Sequence, residues 1–336
     1  MREEEPEATE GGHGGRIYPA TMPTLADTGI AALIDLPYDE QIAARLARAS
    51  RSLGHLGVPL APMVRSPRES GSRVRVKLRG GPGGLGFHLP GTHQHWAIPI
   101  EELARIARPE LVAAMGAIPA DFPGEVEVRS DGQRVVYVLD QHAPIAKELD
   151  VSVGRKRKSG DPVLVVDGLR VSPTSFLQVN AEVNARVVED VDAILKEAAP
   201  ARILDLYGGV GNLSARAARR GTPVTLVERE GSAASDARKN LPGAEILALD
   251  AGRWRAGQTF FDVAVLDPPR AGALGVLERL AVTRPRLILY LSCDAITLAR
   301  DLGSIHGKGY RVRSLQPYDM FPGTEHVEVL AVVERG

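Results

Sequence analysis

The stretch Asp205-Leu206-Tyr207-Gly208-Gly209-Val210-Gly211-Asn212 decides the fold class of this chain, because it joins an apolar run to a helical pattern through a glycine-rich turn. The apolar run, residues 201–206, is typical of a buried strand. Glycines permit a tight turn and let a ligand approach the backbone closely. We therefore predict an α/β sheet with a ligand site at the carboxyl end of this strand.

The chain downstream of the turn continues the same alternation of strand and helix. Further apolar runs, mostly separated by Ala/Arg/Leu-rich segments of helical length, lie at residues 223–227, 244–249, 262–266 and 286–291. This pattern predicts a doubly wound, Rossmann-like parallel sheet. The last two runs, 310–315 and 326–333, have too short a connection for a parallel crossover, so we expect an antiparallel hairpin. A sheet with this ending is similar to the class I fold of S-adenosylmethionine (SAM) dependent methyltransferases.

The sequence pattern upstream of this sheet is different. A helix is predicted over 38–56, and a strand with a basic row over 73–79 is followed by a glycine break and a return strand at 85–89. Short strands are also predicted at 125–128, 134–139 and 163–166. We therefore expect a flexible leader (1–26), a smaller, mainly β accessory domain (27–172) and a catalytic domain (173–336).

Composition excludes several classes of protein. With 44% hydrophobic and 25% charged residues, the chain is neither collagen-like nor wholly disordered. A single cysteine excludes internal disulfides and four-cysteine metal sites. The acidic start is unlike a signal peptide, and no apolar run approaches 18 residues, so we expect a cytoplasmic protein without a membrane span.

The net charge of -1 means that any nucleic acid must be held by a local basic patch. The run 155–158 is either such a phosphate contact or a solvated loop.

Several side chains are predicted at the carboxyl edge of the sheet, where ligands of such folds bind. Glu228 ends the second strand and can accept hydrogen bonds from ribose hydroxyls. Asp250, after the third strand, is a weaker candidate for the adenine side of the same pocket. By themselves the turn and Glu228 fit a nicotinamide dinucleotide nearly as well as SAM.

Two further motifs lie on the same edge. Asp267-Pro268-Pro269-Arg270 ends the fourth strand, and the prolines stop that strand and present the Asp267 carboxylate. Ser292-Cys293 ends the fifth strand. A lone cysteine is commonly a small buried apolar residue, but at the amino end of a helix starting near Asp294 its thiolate is favoured by free backbone N–H groups. Cys293 is therefore a candidate nucleophile, and Ser292 is a weaker one.

Glu328 lies in the last predicted strand and is left undecided by the residues alone. Alternation with aliphatic neighbours would allow it to face solvent, as most strand glutamates do. His326 is on the same face and suggests a metal site or a catalytic triad, but no third ligand has a supporting spacing.

These motifs, in this order, resemble the uracil-5 RNA methyltransferase family, which forms 5-methyluridine in tRNA and large-subunit ribosomal RNA. The resemblance rests on Ser175-Phe176-Leu177-Gln178-Val179-Asn180, the glycine turn, Glu228, Asp267-Pro268-Pro269-Arg270, Ser292-Cys293, the helix 297–302, the segment 316–322 and His326-Val327-Glu328. The basic hairpin 73–88 is also similar to that of the family, so the resemblance reaches back to about residue 28.

The resemblance implies that Cys293 is the nucleophile and that Glu328 removes the proton from carbon 5 of uracil. It places Gln178, Tyr207, Asn212, Glu228 and Asp267 around SAM. Carbon 5 is a weak nucleophile until a thiolate adds to carbon 6, which is why the family needs a cysteine and a base. The target base must leave its stack to reach them. Arg270 is a candidate for stabilising developing negative charge.

The chain also departs from the family pattern. Many bacterial members hold an iron-sulfur cluster through four cysteines, and Thr28-Gly29-Ile30-Ala31 resembles part of that site without cysteines, so we expect no cluster and no metal. About 26 leading residues are too few for the small β-barrel RNA-binding domain of many members. The usual Asn-Pro after the nucleophile is Asp294-Ala295, and the usual cysteine of the turn is Gly208. A charge on Asp294 is expected to raise the pKa of the thiol.

The leading hypothesis is thus an RNA 5-methyluridine methyltransferase with SAM as methyl donor, RNA as partner and no obligate protein partner. Phosphate contacts are expected from Arg73, Arg75, Lys77, Arg79 and the run 155–158. Similarity in the hairpin slightly favours 23S rRNA over tRNA. The alternatives are a SAM-dependent nucleic-acid N-methyltransferase in which Cys293 is incidental, a catalytically impaired RNA-binding relative, and, more distantly, a nicotinamide-dependent dehydrogenase.

Overall fold

The computed structural model describes residues 23–336 except 256 and 258. It contains two seven-stranded sheets and a two-stranded ribbon. The predicted leader lies outside the described residues up to position 22. The division into domains at 26 and 172 stays a prediction.

The sheet in the carboxyl-terminal half has the predicted class I topology. Its strands are β10 (Ile203–Leu206), β11 (Val224–Val227), β12 (Glu245–Leu247), β13 (Val263–Leu266), β14 (Leu287–Ser292), β15 (Tyr310–Tyr318) and β16 (Glu328–Arg335). They lie in the order β12-β11-β10-β13-β14-β16-β15. The first five are parallel, whereas β16 is antiparallel to both β14 and β15. The predicted α/β fold with a terminal antiparallel hairpin is confirmed.

Helices cover both faces of this sheet, which is why every residue of β10, β11, β13 and β14 is buried. The helices α4 (Ala181–Ala198), α5 (Ala215–Arg219) and α6 (Gly231–Asn240) pack on one face. The helices α1 (Tyr38–Leu53), α7 (Leu274–Thr283) and α8 (Ala295–His306) pack on the other. The helix predicted over 38–56 is present as α1 followed by a short 3-10 turn, Gly54–Leu56.

The segment around α1 also fixes the hairpin that carries Glu328. A fully buried ion pair joins Arg45 to Asp319, between β15 and β16, and the Tyr38 hydroxyl donates to the same carboxylate at 2.6 Å. The amides of Ala61 and Val64 donate to carbonyls of β15, each at 2.9 Å. These contacts cover the outer edge of β15 and hold the hairpin against the body of the sheet.

The second sheet is mainly antiparallel. Its strands are β1 (Arg75–Gly81), β2 (Gly84–His88), β3 (His95–Ala97), β4 (Glu125–Ser130), β5 (Val135–Leu139), β6 (Asp150–Val153) and β7 (Lys156–Ser159), in the order β3-β2-β1-β4-β5-β6-β7. The short helices α2 (Ile100–Ile106) and α3 (Pro109–Ala114) complete its core. The predicted basic hairpin is β1–β2.

Two interpretations of this region need correction. Of the run 155–158, only Arg155 lies in a turn as the loop alternative required, whereas Lys156 to Ser159 pair with β6 as the edge strand of the sheet. The strand predicted at 163–166 does not join the accessory sheet. It forms a separate ribbon from β8 (Leu164–Val166) and β9 (Leu169–Val171), closed by a turn with Asp167 and Gly168 at φ of 50° and 69°. No helix in the described ranges is long and apolar enough to span a membrane.

Candidate active site

A cavity of about 760 Å³ opens at the carboxyl edge of the parallel strands. Its walls come from the ends of β10, β11, β13 and β14, from the start of β16, and from the ribbon and Arg75 of β1. All seven residues predicted for catalysis or cofactor binding line it: Gln178, Tyr207, Asn212, Glu228, Asp267, Cys293 and Glu328. The structure therefore brings the whole predicted set together, and their roles stay predictions.

The glycine turn forms one wall of the cavity. Tyr207 has a φ of 61°, a left-handed conformation that is unfavourable for an aromatic residue. A Cβ at Gly208 would lie 2.5 Å from the Leu226 Cγ atom, and one at Gly211 would lie 2.2 Å from the Leu241 Cδ1 atom. One side of the turn backbone is therefore packed closely against Leu226 and Leu241, which fixes the conformation of the turn. The opposite side of the turn lines the cavity.

Glu228 is oriented by two backbone amides. Its Oε2 atom accepts from Gly209 N–H at 3.0 Å and its Oε1 atom accepts from Glu230 N–H at 2.6 Å. Since each carboxylate oxygen has a second lone pair, Glu228 keeps acceptor capacity for a ligand hydroxyl.

The Asn212 side chain is paired with a residue that sequence analysis missed. The amides of Asn184 and Asn212 exchange two hydrogen bonds, of 3.1 and 2.8 Å, and both side chains line the cavity. Asn184 lies in α4, buried to 6% exposure. The sequence did contain a signal for Asn184, because this asparagine lies among the apolar residues on the buried face of the helix. Gln178 donates from Nε2 to Asp267 at 3.4 Å.

The strand register places Cys293 opposite Glu328. Leu291 pairs with Leu330 and Ser292 with Val329 in the antiparallel β14–β16 ladder, and one further step sets Cys293 against Glu328. Glu328 is only 3% exposed, so the solvent-facing alternative is wrong. Because helices cover both faces of β16, alternation carries no information about exposure there.

Three carboxyl groups at this edge of the sheet, Asp205, Asp267 and Glu328, have raised pKa values, and burial is the largest cause for each. Burial, reinforced by Asp205, raises the pKa of Asp267 to about 7. Burial also raises the pKa of Asp205 to about 7, although Ser214 donates a 2.5 Å hydrogen bond to it. Burial, together with the charge of Asp267, raises the pKa of Glu328 well above its ordinary value. Such shifts are typical of groups that move protons.

A backbone hydrogen bond lowers the pKa of the Cys293 thiol, as expected at a helix terminus, but larger effects oppose it. Burial and the Glu328 charge raise the pKa of this thiol to about 11, against a lowering effect of Arg270. Asp294 is the N-cap of α8, and its carboxylate accepts from Thr297 N–H at 2.8 Å. The carboxyl groups that raise the thiol pKa are therefore Glu328 and Asp267.

The basic row of β1 is largely matched by acids on the neighbouring strand. Lys77 and Arg79 contact Glu125 at 2.6 and 2.5 Å, and Arg75 lies 3.5 Å from Glu127. The Arg75 guanidinium also stacks at 4.6 Å over the exposed Phe176 ring at the cavity wall. Of the row, Arg75 alone lines the cavity.

Two weaker candidates have local partners. Asp250 caps a short 3-10 turn by accepting from Gly252 N–H at 2.7 Å, and it lies 3.7 Å from Arg229. His326 lies 3.1 Å from the Arg270 guanidinium. Within the described part of the chain, no three His, Cys, Asp or Glu side chains are grouped to hold a metal ion.

Comparison with known proteins finds similarity to uracil-5 RNA methyltransferases. The sequence profile of the tRNA (Uracil-5-)-methyltransferase family matches residues 255–335, which include the aspartate-proline motif, Cys293 and Glu328. The 23S rRNA (uracil(1939)-C(5))-methyltransferase of Aeromonas hydrophila is 38% identical over 185 residues, 52% of this chain and 42% of the relative. The corresponding Vibrio vulnificus protein is 30% identical over 252 residues, 69% of this chain and 58% of the relative. These matches support the resemblance of the chain to the uracil-5 RNA methyltransferase family.

This chain spans about half the length of the curated relatives that it matches. A solved structure, Pyrococcus abyssi tRNA (uracil-54, C5)-methyltransferase in complex with S-adenosyl-L-homocysteine, aligns with a TM-score of 0.69. It is 24% identical and covers 90% of this chain and 85% of its own, which supports a shared fold.

Two of the departures from the uracil-5 RNA methyltransferase pattern, Asp294 and Gly208, have a local explanation. Asp294 caps α8 through its side chain, a role that asparagine fills equally well. At Gly208 the space for a side chain is filled by Leu226, so the usual cysteine of the turn would need that leucine to move.

Proposed function

We propose that this chain is a SAM-dependent RNA methyltransferase that forms 5-methyluridine through a covalent bond between Cys293 and carbon 6 of uracil. The observation that carries the proposal is the position of Cys293 opposite the buried Glu328, at the end of a cavity that also holds the glycine turn and Glu228. A nucleophile and a base at one reacting site are what substitution at carbon 5 requires.

The residues of the cavity fit SAM. Gly208 and Gly209 line the cavity with backbone, and Glu228 is fixed by two amides with lone pairs left for ribose hydroxyls. Asp267, held by Gln178, and the Asn184–Asn212 pair offer polar groups to the remaining parts of the molecule. SAM supplies an electrophilic methyl group on its sulfonium.

The reaction follows from the positions of the two catalytic residues. The Cys293 sulfur forms a bond to carbon 6, and the electrons of the carbon 5–carbon 6 double bond move toward the carbonyl at carbon 4. With SAM bound, carbon 5 would form a bond to its methyl carbon while the bond between that carbon and the sulfonium sulfur breaks, and the neutral thioether would be the leaving group. Glu328 removes the proton from carbon 5, the double bond forms again, and the carbon–sulfur bond breaks to return the thiolate. Arg270, whose charge lowers the pKa of Cys293, favours the thiolate in the first step.

The raised pKa of Cys293, about 11, makes the thiol mainly protonated at neutral pH before substrates bind. We infer that the sulfonium charge of the bound methyl donor and the Arg270 guanidinium together lower that pKa in the complex, because nearby positive charges favour a thiolate. Formation of the Cys293 thiolate is therefore coupled to binding of the methyl donor.

RNA is the proposed partner, with 23S rRNA preferred over tRNA. The curated relatives that the chain matches are named for a 23S rRNA uracil, which supports this preference. Arg75 with Phe176 at the cavity wall and the exposed side chains of Lys156 and Arg157 on β7 are proposed to contact the RNA. The accessory sheet would then hold the RNA while the target base enters the cavity.

The test is to incubate the protein with methyl-labelled SAM and total RNA from a strain that lacks 5-methyluridine, and to identify the labelled nucleoside and its parent RNA. Labelled 5-methyluridine in 23S rRNA is expected. A different labelled nucleoside whose formation persists in Cys293→Ala would support an N-methyltransferase instead. SAM binding without transfer to any RNA would support a catalytically impaired relative.

A further inference from the structure

Arg270 is held in place by contacts at both its backbone and its guanidinium. The Thr297 hydroxyl donates to the Arg270 carbonyl at 3.1 Å, and Arg300 donates to the next carbonyl, that of Ala271, at 2.8 Å. Both donors lie in α8, the helix that begins two residues after Cys293. At the other end, the Arg270 Nη2 atom lies 3.1 Å from the His326 Nε2 atom. Arg270 therefore bridges the segment that carries the thiol and the segment that carries Glu328.

The contact with Arg270 sets the protonation state of His326. A guanidinium has donors only, so the His326 Nε2 atom must accept, and the ring is neutral with its proton on Nδ1. The His326 amide donates to the Thr324 hydroxyl at 3.2 Å, and the ring packs edge-on against Phe321 at 6.0 Å between centroids. The imidazole is thereby held at a fixed position beside the cavity.

The charges around His326 favour the neutral ring. Burial lowers its pKa, and the facing guanidinium groups of Arg270 and of Arg48 on α1 lower it further, against opposing effects of Asp294 and Glu325. Arg48 is itself paired with Glu325 at 2.9 Å. His326 is therefore neutral at neutral pH and able to accept.

We propose that His326 is a positioning residue whose neutral imidazole holds the Arg270 guanidinium beside the Cys293 thiol. Arg270 is the cation that opposes the effect of Glu328 and Asp267 on this thiol. Its long side chain is exposed to solvent at the cavity mouth and would sample other rotamers without a partner. Loss of the acceptor, or its protonation, moves the positive charge away and makes the thiolate less favourable. The inference rests on the proposed function only in treating Cys293 as the nucleophile.

The chain offers a direct measurement, because Cys293 is its only cysteine. The rate of alkylation by iodoacetamide, measured against pH without RNA or SAM, reports the thiolate of this one residue. For His326→Leu we expect roughly threefold slower alkylation at pH 8, equivalent to about half a pKa unit. For His326→Gln, whose carbonyl oxygen can replace the acceptor, we expect the wild-type profile. His306→Gln, at the far end of α8, is the matched control and should also match wild type.

A double-mutant comparison separates positioning from a general effect on the site. Arg270→Leu should slow alkylation at least as much as His326→Leu, and adding His326→Leu to Arg270→Leu should change nothing further. An additive effect of the two substitutions, or an unchanged profile in His326→Leu, would overturn the proposal. If His326→Leu does not fold, as judged by thermal unfolding, His326→Asn replaces it: its shorter side chain fails to reach Arg270 and should alkylate more slowly than His326→Gln.

These results are independent of methyl transfer. Alkylation that follows the predicted series in a protein that methylates no RNA would leave the positioning role intact and contradict only the proposed function. If the protein methylates RNA but its alkylation profile does not change in the His326 variants, the proposed function stands and the positioning role is contradicted.

Discussion

The pKa values of carboxyl groups are shifted in opposite directions in the accessory sheet and at the carboxyl edge of the parallel sheet. In the accessory sheet, hydrogen bonds from Lys77 and Arg79 hold the pKa of Glu125 below its usual range. At the edge of the parallel sheet, burial raises the pKa values of Asp205, Asp267 and Glu328. The accessory sheet pairs Glu125 with cations of the neighbouring strand, whereas the edge of the parallel sheet buries three carboxyl groups, two of which act on the thiol.

This difference separates acids that stabilise the fold from acids that are arranged for chemistry. A carboxylate in an exposed ion pair contributes modestly to stability and loses nothing by being charged. A buried carboxyl group without a cation is destabilising when charged, and it is found where a reaction uses its proton affinity. Substitutions of the same kind in the two sheets should therefore have opposite effects on stability.

The largest effect is expected for Glu328→Gln. The amide has the shape of the carboxyl group but cannot remove the proton from carbon 5, so 5-methyluridine formation should fall by about 10³-fold. Because the steps before proton removal are unaffected, RNA bound covalently to Cys293 should accumulate, as measured by gel mobility after denaturation. Glu325→Gln, an exposed carboxyl group three residues earlier, is the control and should keep nearly full activity. Equal losses in the two variants would contradict the role given to Glu328.

The next prediction is that Asp205→Asn stabilises the protein at alkaline pH. The folded pKa of Asp205 is about 7, against 3.8 when it is unperturbed. Stability linked to this group is present below pH 3.8 and is lost as the pH rises through 7, since the folded protein then carries a buried charge. The variant should gain roughly 3 kcal/mol in free energy of unfolding at pH 8 and little near pH 4, measured by urea titration. A gain that does not depend on pH would count against this explanation.

A smaller effect is expected for Glu228→Gln in cofactor binding. Both carboxylate oxygens accept from backbone amides, and an amide side chain would set its own NH₂ group against one of them. Affinity for SAM should fall roughly tenfold, measured by calorimetry. Glu189→Gln, an exposed residue of α4, should bind SAM as wild type does. Unchanged affinity in Glu228→Gln would remove this residue from the SAM site.

The smallest effect is expected in the accessory sheet. Glu125→Gln removes the partner of Lys77 and Arg79, two half-exposed cations, and should destabilise the protein by about 1 kcal/mol or less at neutral pH. The loss should shrink with added salt because the pair is accessible to solvent. Stabilisation, as expected for Asp205→Asn, would show that the contrast between the two sheets is mistaken.

The parallel sheet could be predicted from sequence because its strands and the motifs that follow them are recognised from short, continuous stretches of the chain. Each apolar run ends at a polar motif, and the carboxyl ends of parallel strands meet at one edge, so Glu228, Asp267 and Cys293 were expected together. The antiparallel ending followed from the short connection before the last strand. Glu328 could not be assigned from alternation because β16 is covered on both faces.

The features that sequence missed depend on pairing between distant segments. Glu125 meets Lys77 only through the β1–β4 register, 48 residues apart. Asn184 meets Asn212 only after α4 packs beside the turn. The strand at Lys156–Ser159 and the ribbon at Leu164–Val166 were misplaced because a short apolar or basic run does not reveal its partner strand.

The most direct test of the account uses target RNA that contains 5-fluorouridine, with SAM present. Fluorine at carbon 5 cannot be removed as a proton, so after methyl transfer the bond between Cys293 and carbon 6 should persist. We predict a denaturation-resistant adduct whose mass equals the protein plus the methylated RNA, with the RNA mapped to Cys293 by peptide analysis, and none in Cys293→Ser. Methylation of unmodified RNA at carbon 5 without any adduct, or an adduct that survives in Cys293→Ser, would contradict covalent catalysis by Cys293.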